Sequence, residues 1–325
     1  MEALHLLNSL KHGGGENVAF NYAQVLATLN VSSTFVGRTA SEEYERMISP
    51  MVKISHKLSG GLIRKSDLVF VHSNVNLLRL LAFRLLPLGW KHKKIVYIQH
   101  LNYPLWKFRL LAVLINLLCT DFIRITPVTE KQVSRYIRVK THFIVNFYLN
   151  KYPEKEWTHL KNDIRAKLAI DPAQTVVTFS AVFKPGKNVG EFIALADAMK
   201  QRKDMTFLLI GDGPEADLVC SYHGDNLIWL GFVNDVERYL IASDIYMFLS
   251  KFEFEMMPMA LLEAVNTDKR IIAYKTPIND FVLAGRTYDA ITPELLFDSE
   301  IPCGAELMKY DRVYARRMLA ELIQL

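Results

Sequence analysis

Short runs of β-branched and aromatic residues alternate with longer helical patterns along this 325-residue chain, as in Ala3–Asn8, Ser33–Gly37, Asp67–His72 and Lys94–His100. A strand that reaches its neighbour through a crossover helix pairs with it in parallel, so the alternation predicts an α/β fold built on parallel sheets. The polar stretch Asn150–His159 interrupts the pattern and is the expected domain linker. A second series follows, with strands at Thr175–Ala181, Thr206–Ile210, Leu227–Leu230, Asp244–Leu249 and Arg270–Tyr274. Two doubly wound domains are therefore expected, over 1–150 and 160–304, with a last helix over 305–325 as a candidate to pack back on the first. Two such domains place a cleft between the carboxyl ends of their sheets, where open α/β folds bind ligands.

Composition limits the class. Half of the residues are apolar and 22% are charged, which excludes a disordered or fibrous chain. Cys119, Cys220 and Cys303 are odd in number and far apart, without C-x-x-C spacing, so neither a disulfide framework nor a zinc site is expected, and a reducing cytoplasm is the simplest location. No secretory leader is read at the start. The longest apolar run, Leu110–Cys119, is broken by Asn116 and is shorter than the roughly 20 residues a spanning helix needs.

Charge is uneven. Residues 1–150 hold 19 Lys and Arg against 8 Asp and Glu, net +11, which leaves −6 for 151–325 out of the total of +5. Arg79, Arg84, Lys91, Lys93, Lys94, Lys107 and Arg109 are interleaved with Leu, Phe and Trp. Because the interleaving residues are mostly aliphatic, L-L-R-L-L-A-F-R-L-L and W-K-F-R-L-L-A-V-L-I-N-L-L fit helices on an anionic membrane surface better than a nucleic-acid face. Ordinary core leucines give the same periodicity, and the sequence leaves that choice open.

Three segments carry chemistry. In F-E-F-E-M-M-P-M-A-L-L-E-A, Glu255 precedes Pro258, which fits the first turn of a helix, and Glu263 lies inside that helix. Five residues at about 1.5 Å each put the second carboxylate about 7–8 Å along the axis, a span suited to two ends of one ligand. After the first strand, K-H-G-G-G-E-N opens a helix with Gly13, Gly14 and Gly15, where backbone N–H groups can approach an anion. It lacks the G-x-G-x-x-G spacing and the later acidic residue of a dinucleotide site, so a nicotinamide enzyme is rejected. In F-L-L-I-G-D-G-P, Gly211, Asp212, Gly213 and Pro214 lie between a buried strand and a helix start.

In this order, with the strand ending Gln99-His100, the lysine turn Lys184–Asn188 and the following L-G-F-V-N-D, these segments resemble the retaining GT-B nucleotide-sugar glycosyltransferases, group 1 (family 4) type. The resemblance runs through most of the chain. It implies two Rossmann-like domains and transfer of a sugar from a nucleoside diphosphate to an acceptor hydroxyl. It further implies that Glu255 accepts hydrogen bonds from donor-sugar hydroxyls and Glu263 from the ribose, both by carboxylate oxygens. Backbone around Met257, Pro258 and Met259 would face the diphosphate. Lys187, with Lys184 and the glycine segments at Gly14, Gly15, Gly211 and Gly213, would complete the donor site. His100 would meet the transferred sugar. No D-x-D metal motif occurs, so Lys187 would neutralise the leaving diphosphate without a metal. The expected donor is a UDP-sugar, with no further cofactor. The expected acceptor is a lipid-linked saccharide of bacterial surface polysaccharide or lipopolysaccharide assembly, met by a cytoplasmic enzyme peripheral to the membrane.

The chain departs from that pattern at three places. Ala181 and Val182 stand where the family has Gly-Arg, Met256 where it has a glycine after the first glutamate, and Asp268 where a glycine ends the second glutamate's helix. A lysine at 184 offers a point charge but not the fork of the missing arginine. Two rival readings share the fold: a sugar-nucleotide epimerase, which needs no acceptor, and a non-catalytic partner subunit.

Overall fold

The computed structural model describes residues 1–11, 13–251 and 256–323. Contacts divide them into two units, 1–147 with 256–258 and 310–323, and 148–251 with 259–309.

In the first unit the strands are Glu2–Leu6 (β1), Ser9–Leu10 (β2), Ser32–Val36 (β3), Thr39–Ala40 (β4), Lys53–Ser55 (β5), Leu68–Val71 (β6), Lys94–Ile98 (β7), Asp121–Arg124 (β8) and Lys140–Phe143 (β9). The helices are Gly14–Ala27 (α1), Glu42–Ile48 (α2), Gly60–Lys65 (α3), Asn74–Phe83 (α4), Leu105–Leu118 (α5) and Glu130–Tyr136 (α6). Seven strands form one sheet in the order β5-β3-β1-β6-β7-β8-β9, with every pairing parallel. Leu4, Leu6, Val69, Val71 and Tyr97 pack on one face against Leu77 and Leu80 of α4 and Phe108, Leu111 and Ile115 of α5. Phe35 and Leu7 pack with Ala19 and Ala23 of α1 and Tyr44 and Ile48 of α2. Burial on both faces explains why β6 reads Leu-Val-Phe-Val without alternation.

The second unit has strands Thr175–Ser180 (β10), Met205–Ile210 (β11), Leu227–Trp229 (β12), Ile245–Phe248 (β13) and Arg270–Ala273 (β14). Its helices are Glu154–Lys167 (α7), Val189–Ala198 (α8), Asp217–Cys220 (α9), Glu237–Ala242 (α10), Met259–Asn266 (α11) and Pro277–Val282 (α12). The sheet order is β12-β11-β10-β13-β14, again parallel throughout. Phe179, Phe192 and Phe207 anchor its core, with Phe179 and Phe192 stacked at 5.4 Å between centroids. The final helix, Arg312–Ile323 (α13), belongs to the first unit and packs on α1.

Both sheets therefore reverse strand order beside their first strand, between β1 and β6 and between β10 and β13. Crossovers leave that point toward opposite faces, and the carboxyl ends of the strands there are where open α/β sheets bind ligands. All nine strands read from the sequence are present, each within one or two residues of its expected ends. The stretch Asn150–His159 differs from a free linker: α7 begins at Glu154, and Lys151 and Tyr152 are hydrogen-bonded to Asp235 and Glu237. The last helix starts at Arg312, after a 3-10 turn over Gly304–Glu306, rather than at 305.

Candidate functional site

At the switch point of the second unit, the loop after β10 is tied to the end of β13. Asn188 Nδ2 donates to the Leu249 carbonyl at 2.8 Å, and the Lys251 amide donates to the Gly186 carbonyl at 3.0 Å. The loop turns tightly through Gly186 (φ 87°) and Asn188 (φ 62°), the left-handed conformation that glycine and asparagine adopt most easily. This holds Lys187 Nζ 3.4 Å from Ser250 Oγ. Lys184 is exposed on the same turn. Two ammonium groups thus sit on the loop at this switch point. Glu255 lies outside the described residues.

Glu263 is half-buried on α11 and belongs to a cluster that the sequence did not reveal. The Tyr148 hydroxyl lies 2.8 Å from Glu263 Oε1 and 2.9 Å from Oε2 of the fully buried Glu237. One hydroxyl proton cannot serve two carboxylates at once. Glu237 also accepts the Lys151 amide at 2.9 and 3.1 Å and the Tyr152 amide at 3.4 Å, so its charge is better solvated. Burial pushes the Glu263 carboxyl up to about 7 against the lowering pull of Tyr148, so below that pH the cluster holds a proton on Glu263. Glu237 is raised by burial too. The only sequence trace of this cluster is a tyrosine just before the expected linker and an acidic residue two positions after Asp235.

In the first unit, β1 leads through β2 to the glycine segment. Gly14 and Gly15 begin α1, and neither has a positive φ. A methyl group at Gly14 would meet nothing within 4 Å, and one at Gly15 would only reach His100 Cδ2 at 4.0 Å. Their lack of a side chain leaves the start of α1 bare beside His100, a role apart from the tight turn that glycine usually signals. His100 follows β7 and is half-buried. Its Nε2 lies 3.0 Å from Nδ1 of His72, the residue after β6, and burial lowers its basicity to about 4.

The structure adds a packing role for one of these segments and shifts a helix start in another. Gly211 and Gly213 (φ 130° and 152°) serve packing: their Cα atoms press on Ala181 and Phe183, where an added methyl would lie 1.8 Å from the Ala181 oxygen and 2.5 Å from the Phe183 oxygen. The Gly211 amide donates to the Gly231 carbonyl, and the Gly213 amide to Asp212 Oδ1. Both amides thus have partners within the protein. Pro258 directly precedes α11 instead of opening its first turn, and Met259 is the first helical residue. Met256 and Met257 are buried, and the Met257 carbonyl accepts from Asn146 Nδ2 at 3.3 Å. Asp268 has φ 57°, so the aspartate at this helix end does take the conformation a glycine would supply.

Cavities of about 250 and 500 Å³ border α8, lined among others by Tyr274 and Leu249 and by Asp197 and Tyr222, and none of the expected site residues lines either. Among the described residues no three His, Cys, Asp or Glu side chains converge to hold a metal ion.

Two parallel sheets of Rossmann-like order, each with its loops gathered at the switch point, define a GT-B protein, and solved structures share that architecture across the whole chain. HepE of Anabaena, solved with UDP and glucose, is 17% identical with a TM-score of 0.74 and covers 100% of this chain and 99% of its own. Sucrose-phosphate synthase from Thermosynechococcus elongatus is 14% identical, with a TM-score of 0.67 and coverage of 100% and 98%. WaaG, a glycosyltransferase involved in lipopolysaccharide biosynthesis, is 11% identical, with a TM-score of 0.61 and coverage of 99% and 90%. Residues 173–299 match the model of the family Glycosyl transferases group 1, the stretch that holds the lysine turn, the Gly211–Pro214 loop and Glu263. None of the curated proteins matches the chain by sequence.

Proposed function

We propose that this protein is a retaining glycosyltransferase that moves a sugar from UDP to a hydroxyl of a lipid-linked saccharide, in surface polysaccharide or lipopolysaccharide assembly. The observation that carries the donor half is the position of Lys187 and Ser250 at the second switch point, inside the stretch matched by the group 1 family. HepE, solved with UDP-glucose as well as with UDP and glucose, supports UDP as the nucleotide. In this reading Lys187 and Lys184 offset the charge that grows on the departing diphosphate, a task that a bound metal performs in other transferases. The N-terminal end of α11, at Met259, would present its positive dipole end to the diphosphate. Glu263 takes the ribose hydroxyls, Glu255 those of the sugar, and His100 a sugar oxygen.

The acceptor half rests on the surface of α4 and α5. These helices pack on each other and carry a second apolar stripe that faces solvent. Trp106, Leu110, Val113 and Leu117 are 62%, 64%, 65% and 61% exposed, beside exposed Val75 and Leu78 of α4. Leucines that could have been core are thus divided, with Phe108, Leu111 and Ile115 inside and these outside. Lys107 and Arg109 are exposed among them. A contiguous apolar stripe with basic neighbours suits an anionic bilayer surface. No helix among the described residues is long and apolar enough to cross a membrane.

Two experiments test the halves separately. A thermal-shift panel of UDP, GDP, ADP and CMP with their sugar conjugates should show selective stabilisation by UDP, lost in Glu263→Ala; no shift at millimolar nucleotide would reject the donor site. Vesicle flotation should recover the protein with anionic vesicles at low salt, and absence from the lipid fraction would remove the membrane part.

A further inference from the structure

A row of three histidines crosses the first sheet at its switch point. His5 Nδ1 lies 3.1 Å from His72 Nε2, and His72 Nδ1 lies 3.0 Å from His100 Nε2. Successive rings stack at 5.4 and 5.2 Å between centroids. At the inner end, His5 Nε2 is 3.4 Å from Ser33 Oγ. His5 is fully buried between Phe35 and Phe70, and His72 is buried beside it. Burial keeps all three rings neutral near pH 7, with His5 lowered to about 3 and His72 well below its ordinary value.

Proton counting then couples the rings. A neutral imidazole has one N–H and one lone pair, and each N···N contact needs one of each. If His72 donates from Nε2 to His5, its Nδ1 must accept from His100 Nε2, and His5 must donate from Nε2 to Ser33. His100 then presents a lone pair at Nδ1. If His72 donates from Nδ1 to His100, every direction reverses: Ser33 donates to His5 Nε2, and His100 presents N–H at Nδ1. Exchanging one arrangement for the other takes up one proton at one end and releases one at the other, so no single ring can change alone.

We propose that His5, His72 and Ser33 are positioning residues that set which tautomer His100, beside the start of α1, adopts. The consequence for sugar transfer rests on the role proposed above for His100, whereas the tautomer coupling does not.

Long-range proton–nitrogen NMR of the full, ligand-free chain labelled at histidine reads the tautomers directly, with His5→Phe and His72→Phe for assignment. The expected pattern is three neutral rings protonated at the same-named nitrogen, Nε2 in all or Nδ1 in all. A mixed set, or an imidazolium among them at pH 7, overturns the proposal. In His72→Phe, His100 should show both tautomers and transfer should slow roughly tenfold, the size of one lost net hydrogen bond. His72→Gln, which keeps one donor and one acceptor, should recover most of the rate. Ser33→Ala gives a second variant should His72→Phe unfold, and there too His100 should change its tautomer ratio. An unchanged His100 spectrum in folded variants overturns the coupling, and an unchanged transfer rate overturns the positioning role. A wild-type chain that neither binds nucleotide nor transfers sugar rejects the reaction, and the ligand-free spectrum still decides the row.

Discussion

At Glu263 an ordinary carboxyl becomes a group that titrates near neutrality, and the sign of the effect on stability follows. Its folded value of about 7 lies above the usual 4.5, so between those values the native state holds a proton that the unfolded chain has lost. Stability therefore falls as pH rises through that window. Glu263→Gln removes this term, and its urea midpoint should decline less than wild type between pH 4.5 and 7; parallel declines would refute the protonated-cluster description. Glycines separate packing from ligand roles in the same way. Gly211→Ala puts a methyl into the Ala181 carbonyl at a φ that L-residues avoid, and should cost about 2–5 kcal/mol. Gly14→Ala meets open space at the start of a helix and should stabilise by about 0.4–1 kcal/mol. If the bare helix start serves a ligand, that variant should still lose activity while its melting temperature rises.

Among the elements, α5 shows how one helix can face two media. Phe108→Ala, inside, should cost about 3–5 kcal/mol in urea unfolding. Leu110→Gln with Leu117→Gln, outside, should change stability by no more than about 0.5 kcal/mol per site and still reduce recovery with anionic vesicles. Full vesicle binding by the double variant would place the contact surface elsewhere. The loop after β10 is an element of the opposite kind, fixed through its own backbone. Asn188 and Gly186 lock it to β13, so the lysines it carries depend on turn geometry more than on packing.

Across the whole molecule, the chain does not close its units in sequence order. It leaves the first unit after Phe147, passes between units again around Pro258, and ends with α13 on α1. Ala315, Leu319 and Leu322 are buried there, Tyr314 accepts nothing less than a main-chain partner in the Val145 amide at 2.9 Å, and Arg316 donates to the Thr28 carbonyl. A chain stopped before Arg312 uncovers that face of α1. With roughly 1.5–3 kcal/mol for each large side chain lost, its first thermal transition should move down or vanish. An unchanged melting curve would show that α13 contributes nothing to the first unit.

Much of the architecture is legible in the sequence because strand and helix periodicity is local: apolar runs such as Leu68–Val71 and Met205–Ile210 announce buried parallel strands without any knowledge of their neighbours. The lysine turn and the glutamate at 263 are legible for a similar reason, being short segments with fixed spacing. Contacts between residues distant in sequence are not. Tyr148 meets Glu237 and Glu263 across 89 and 115 positions, His5 meets His72 across 67, and His72 meets His100 across 28. Spacing along the chain carries no trace of such meetings, because sheet order brings them about. That Gly211 packs on the Ala181 loop, and which leucines of α5 face solvent, were likewise decided only when the chain packed, since burial is a property of what surrounds a residue and not of the residue itself.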